Sequence, residues 1–188
     1  MKKNKLLLLL LSFALSLIIS GTSFATNHSF IAFPNPNQDY FYPKDDFDLD
    51  STAAFSTAFS ILKNKQLDAE SVNAFIKSQN YQPSTIIKQL ASRSNLTYST
   101  LHHESNNSLI VDILKNLHDN KIILAYASGS APFSYDGNFV VIYSASSNGY
   151  FGISVPKNEN YRGKFFNYKS FVSSIKSNAN FYVVGEAK

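Results

Sequence analysis

Apolar positions fall into two periods along the chain. Phe55, Ala58, Phe59 and Leu62 recur three and four apart, which predicts a helix over residues 51–63. Val72, Phe75 and Ile76 repeat that spacing within 67–78, with Asp68 placed to cap the start. Ile86, Ile87 and Leu90 mark a third helix over 84–92, with Pro83 near its beginning. Residues 96–101 alternate as a strand does, and Ile110, Ile113, Leu114 and Leu117 return to the helical period over 108–118. Beyond Lys121 the period shortens. Residues 121–127, 138–144, 150–155 and 181–185 are short β-branched or aromatic runs, punctuated by Gly129, Pro132, Gly137 and Gly149 and interrupted by one helix over 168–176. Helices followed by a mostly antiparallel sheet make an α+β plan. The first helix is expected to be buried against strands containing residues 140–143 and 151–153.

The segment before the first helix reads differently. Pro34, Pro36 and Pro43 disfavour helix over 26–48, and Tyr40, Phe41, Tyr42 and Phe47 are suited to anchor an extended arm. Further upstream, Lys2, Lys3 and Lys5 precede an apolar run over 6–19, and Ser23-Phe24-Ala25 is a small-x-small cleavage site. This predicts a secretory signal over 1–25 and a mature chain that begins at Thr26. The apolar run is short for a membrane span, so the protein is expected to be exported to the periplasm or beyond and to have no membrane association after cleavage. The expected organisation is the signal, an arm over 26–48 and a domain over 49–188.

Composition removes several chemistries. The chain has no cysteine, which excludes disulfides, thiolate metal sites and thiol nucleophiles. Three of the 17 basic residues lie in the leader, leaving 14 against 13 acidic residues, or +1. With no block of like charge, nucleic acid is not an expected partner. The 16 Phe and 11 Tyr can fill a core or line a groove. Asp46-x-Asp48-x-Asp50 begins like a calcium loop, but its sixth and twelfth positions hold Ser51 and Thr57 where that loop needs glycine and glutamate. His102 and His103, as neighbours on a strand, would point to opposite faces, and neither His118 nor His28 has a motif-spaced partner. No metal or other cofactor is expected. Asp50 or Ser51 is expected to cap the first helix.

The order of elements resembles the papain-like fold, specifically the family of double-glycine (bacteriocin leader) peptidases, from about Asp48 to Gly185. Where that family opens its first helix with Cys-Gly-Pro-Thr-Ser, this chain has Asp50-Ser51-Thr52-Ala53-Ala54. Where it has Gly-His-Phe and a hydrophobic strand, this chain has Gly137-Asn138-Phe139-Val140-Val141-Ile142. Where it has a strand and Asp-Pro, this chain has Gly152-Ile153-Ser154-Val155-Pro156, and Phe181-Tyr182-Val183-Val184 closes the pattern. The resemblance implies a nucleophile position at Asp50, or at Ser51 if the register slips by one, a base position at Asn138 and an orienting position at Val155. None carries the side chain that cysteine-peptidase chemistry needs. Gln38 is the only nearby candidate for the family's oxyanion-hole glutamine.

The resemblance therefore implies a secreted, catalytically silent peptidase-like domain that binds a peptide or protein in its former active-site groove, bounded by Asp50, Ser51, Asn138 and Val155. A different class is a hydrolase that uses Asp50 or Ser51 with a base from His28, His102, His103 or His118. A third is a structural envelope or surface protein. A histidine nitrogen within hydrogen-bonding reach of Asp50 or Ser51 separates the second from the first.

Overall fold

Every strand pairing among the described residues is antiparallel. The computed structural model describes residues 30–79 and 85–187. The expected signal, the start at Thr26, His28 and the Pro83–Ser84 helix start all lie outside them. In chain order the elements are β1 (Phe30–Ala32), α1 (Asp50–Lys63), α2 (Ala69–Gln79), α3 (Ile86–Arg93), β2 (Leu96–Leu101), α4 (Asn106–His118), β3 (Ile122–Gly129), β4 (Asn138–Ser146), β5 (Tyr150–Ser154), β6 (Lys164–Asn167), α5 (Tyr168–Ser174) and β7 (Ile175–Glu186). The strands form one sheet in the order β2-β7-β3-β4-β5-β6, and β1 also pairs with β4. Among the described residues, no helix is long and apolar enough to cross a membrane.

Strand alternation divides the core into two layers. Ile122 and Leu124 of β3, Val141 and Tyr143 of β4, and Val184 of β7 face α1 and α3. Ile123, Ala125, Val140, Ile142 and Phe181 face the opposite side, where Leu109, Ile113 and Leu117 of α4 and Phe171 and Val172 of α5 cover them. All nine residues of β4 are buried, as a central strand covered on both faces requires. A register shift between Ile142 and Ser144 changes the alternation, and Ala145 joins the α4–α5 layer. Phe151 and Ile153 also belong to that layer, so only the 140–143 half of the expected α1 contact is present. β5 lies beyond β4 and turns its apolar face away from α1.

The arm partners two of the hydroxyls in the interior of α1, Thr57 and Ser60, whereas Thr52 Oγ1 and Ser56 Oγ are buried without a hydrogen-bond partner among the described residues. Ten of the 14 residues of α1 are buried, including Ser51, Thr52, Ser56, Thr57 and Ser60. The sheet covers one side, and the arm covers another with Phe41, Tyr42 and Phe47, each nearly sealed from solvent. The Tyr42 N–H donates to Thr57 Oγ1 at 3.1 Å. The Tyr42 hydroxyl lies 3.3 Å from Ser60 Oγ and donates to the Leu67 carbonyl at 3.1 Å. Tyr40 donates to Asn64 Oδ1 at 3.0 Å, beside the left-handed Asn64 that ends the helix. The four aromatic anchors expected from the sequence are thus all in place.

Local signals account for most boundaries. The Asp68 carboxylate accepts the Ser71 N–H at 2.9 Å, and Ser105 and Ser108 form a reciprocal cap on α4. Two strands have no counterpart in the hydrophobic pattern. β1 is three residues inside the arm, and β6 is four residues between Gly163 and α5. The expected helix over 168–176 ends at Ser174, because Ile175 already begins the long β7. Tyr42→Phe removes the hydroxyl shared by Ser60 and Leu67. It is expected to cost about 1–3 kcal/mol, the usual penalty for a stranded buried polar group, read from urea unfolding at constant m-value.

Candidate functional site

The sequence places chemistry at the start of α1 and the start of β4, and the fold brings these two points together. α1 begins at Asp50 after an extended Leu49 that makes no side-chain cap. Asp50 does not cap its own helix, contrary to the sequence expectation. Its Oδ2 instead accepts the Phe139 N–H at 2.8 Å, tying the first residue of α1 to the second residue of β4. Oδ1 is buried and has no hydrogen-bond partner among the described residues. Lys157 Nζ lies 4.0 Å from Oδ2 and donates to the Gly137 carbonyl at 3.2 Å, so one ammonium spans both elements. Burial raises the Asp50 carboxyl above its ordinary range, against the opposing pull of the Phe139 N–H and of Lys157 and Lys44.

Asn138 turns away from this junction. Its Oδ1 accepts the Ser134 N–H at 2.6 Å, and its Nδ2 donates to the carbonyls of Pro132 and Phe139, each at 3.3 Å. The amide thereby fastens the loop between β3 and β4. Val155 is a core residue of the α4–α5 layer, on the other side of the sheet from α1. Ser51, Asn138 and Val155 are 7%, 2% and 2% exposed, and the Asp50 side chain is 11% exposed. A ligand does not reach these four positions as they stand, so they form no open groove. Gln38 lies beside Gly163 and Phe41 in a 3-10 turn of the arm.

The histidines sit elsewhere. His102 Nε2 pairs with Thr100 Oγ1 at 3.3 Å, and His103 packs edge-on against Phe181 with ring centroids 5.3 Å apart. Both follow β2, three strand spacings or about 14 Å across the sheet from β4. His118 is exposed at the end of α4. No hydrogen bond joins any of the three to Asp50 or Ser51. No group of three or more metal-binding side chains gathers among the described residues. Within the acidic run Asp46-x-Asp48-x-Asp50, Asp48 pairs with Lys77 and Asp50 accepts from the Phe139 N–H.

A row of aromatic rings lies next to the junction, buried at Phe139 and partly exposed beyond it. Starting at Phe139, one ring from each of four adjacent strands forms a row on the α1 side of the sheet. Phe139 lies 5.1 Å from Tyr126 and 6.2 Å from Tyr182, and Tyr182 lies 6.1 Å from Tyr98. The three tyrosines are half-buried. Burial raises the Tyr98 and Tyr182 phenols, and a neighbouring phenol adds to each shift. Gly137, at φ +85°, accommodates the Tyr126 ring, because a Cβ there would sit 2.6 Å from its hydroxyl oxygen. Tyr98 also lines a cavity of about 790 Å³ bounded by Leu62, Lys121, Val183 and Glu186. Sequence reasoning placed Tyr98, Tyr126 and Tyr182 on strands but did not join them. The strands are neighbours in space in the order β2-β7-β3-β4, which the chain does not visit in sequence.

Comparison of the chain with protein-family models, curated proteins and solved structures gives no match.

Because the folded Asp50 pKa lies above that of the unfolded chain, this group favours folding most when protonated. That contribution is lost as pH rises through the folded pKa. Asp50→Asn keeps an oxygen for the Phe139 N–H and removes the ionisation. Unfolding free energies between about pH 4 and about pH 8 are expected to move in favour of Asp50→Asn, relative to wild type, as pH rises. Asp50→Ala strands the Phe139 N–H and is expected to lose about 1–3 kcal/mol by the same measurement.

Proposed function

We propose that this protein is an exported, non-catalytic domain of the papain-like kind, related to the double-glycine leader peptidases, that holds an extended peptide. The observation that carries this reading is the pairing of a sealed junction with a partly exposed row of tyrosines beside it. The start of the first helix meets the strand that begins at Asn138, as the resemblance implies, through the Asp50–Phe139 hydrogen bond. The side chains at that meeting point are committed to structure. Asp50 binds a backbone amide, Asn138 binds a loop and Val155 packs in the core. Acyl transfer needs a nucleophile, a base within hydrogen-bonding reach and an oxyanion donor. No described histidine contacts Asp50 or Ser51, which favours the binding reading over the hydrolase reading.

The aromatic row supplies the recognition. Partly exposed rings offer apolar area at little cost in side-chain entropy, and phenol hydroxyls at their tips can bond a peptide backbone. Tyr126, Tyr182 and Tyr98 span three strands, so a peptide lying across them meets a ring from each. The ligand class that fits is an extended peptide with apolar or aromatic side chains and little net charge.

The test is a peptide array read by fluorescence anisotropy, with a hydrolysis assay on every ligand found. Tyr182→Ala and Tyr126→Ala are expected to weaken binding about tenfold or more, as truncation of an anchor ring does, while Asp50→Asn leaves it unchanged. No bound peptide is expected to be cleaved. Turnover by the wild type that Ser51→Ala abolishes would defeat the proposal, as would an array with no binders.

A further inference from the structure

The two ends of the sheet are built differently. β6 is short, at four residues, begins with Lys164 and leads directly into α5. Short strands and lysines are the usual protection against unwanted pairing at a sheet edge. β2, at the other end, has neither device. Leu96-Thr97-Tyr98-Ser99-Thr100-Leu101 is six residues long and contains no charge, proline or glycine. Its register with β7 runs from Leu96↔Glu186 to Leu101↔Phe181 without a bulge. Among the described residues it is paired on one side only, and Thr97, Ser99 and Thr100 are exposed. A regular, uncharged, solvent-facing edge is a template for another strand.

We infer that β2 is the pairing edge of a two-fold dimer, in which β2 of a second copy lies antiparallel beside it and the two sheets become continuous. The argument for a second copy is the strand's complementarity to itself. Directly opposed residues in an antiparallel pair share a face, so a two-fold axis perpendicular to the sheet at Tyr98 sets Tyr98 against Tyr98 and Thr97 against Ser99. These are an aromatic pair and two hydroxyl pairs, both favourable cross-strand combinations, and Leu96 falls opposite Thr100. No like charges meet anywhere along the six residues. The same axis makes the aromatic row continuous across the interface. Tyr98 already stacks on Tyr182, and its symmetry mate extends the row into the second protomer. The inference does not rest on peptide binding and stands or falls separately from it.

The absence of native cysteine makes the test clean. Sedimentation of the purified protein is expected to show a reversible monomer–dimer equilibrium. Ser99→Lys, a change at an exposed side chain, is expected to raise the dimer dissociation constant at least about tenfold while leaving the melting curve of the monomer unchanged. Thr97→Cys and Ser99→Cys proteins mixed under mild oxidation are expected to cross-link to each other, with each variant alone cross-linking far less. Three results overturn the inference: a monomer at every concentration, a dimer that Ser99→Lys does not weaken, or a dimer whose mixed cysteine variants fail to cross-link.

Discussion

The rest of the structure depends on the burial of a helix that is not uniformly apolar. α1 has Ser51, Thr52, Ser56, Thr57 and Ser60 among its buried residues, and a buried hydroxyl without a partner costs free energy. The arm offsets that cost at Thr57 and Ser60, while Thr52 and Ser56 carry it, with no hydrogen-bond partner for their hydroxyls among the described residues. The sheet supplies Val141 and Tyr143, and the arm supplies Phe41 and Phe47 together with the N–H and hydroxyl of Tyr42. The arm is thus part of the fold. It is less extended than its prolines suggest, with 3-10 turns at Gln38–Tyr40 and Lys44–Asp46, and the extended backbone at Phe41 and Pro43 between them presents Tyr42 to two successive turns of α1.

The Asp50–Phe139 bond follows from that burial. A helix start held against the sheet leaves its first side chain facing the end of a strand, and the free N–H of Phe139 is the partner within reach. A carboxylate there is expensive, since Oδ1 has no partner and burial resists ionisation. Lys157 offsets part of that cost and closes the junction by also holding Gly137. What looks in sequence like a dismantled catalytic position is, in space, a joint between two elements. The partly exposed tyrosines lie beside that joint, and the uncharged edge strand β2 lies three strands away.

Much of the architecture was legible in the chain. Four of the five helices were marked by residues three and four apart, such as Phe55, Ala58, Phe59 and Leu62. β2 was marked along its whole length by alternation. The α+β plan followed from the change of period near Lys121. The missed strands, β1 and β6, are three and four residues long, too short for a period-two signal to stand out from a loop. The contact of α1 with residues 140–143 was legible, whereas the turning of Phe151 and Ile153 to the other layer was not. Alternation fixes that a strand has two faces but does not say which helices lie on each.

The candidate site divides along the same line. The sequence by itself determined one absence: with no cysteine, no thiol nucleophile can form however the chain folds. It also determined that Tyr98, Tyr126 and Tyr182 belong to strands. Only the tertiary structure decided that Asp50 bonds Phe139 rather than its own helix, that Asn138 turns to the Pro132–Ser134 loop, and that three tyrosines and a phenylalanine adjoin. The physical reason is that side-chain identity is local, whereas a hydrogen-bond partner or a stacked ring is set by strand order. β7, the last strand in the chain, inserts between β2 and β3 and carries Tyr182 into the middle of the row.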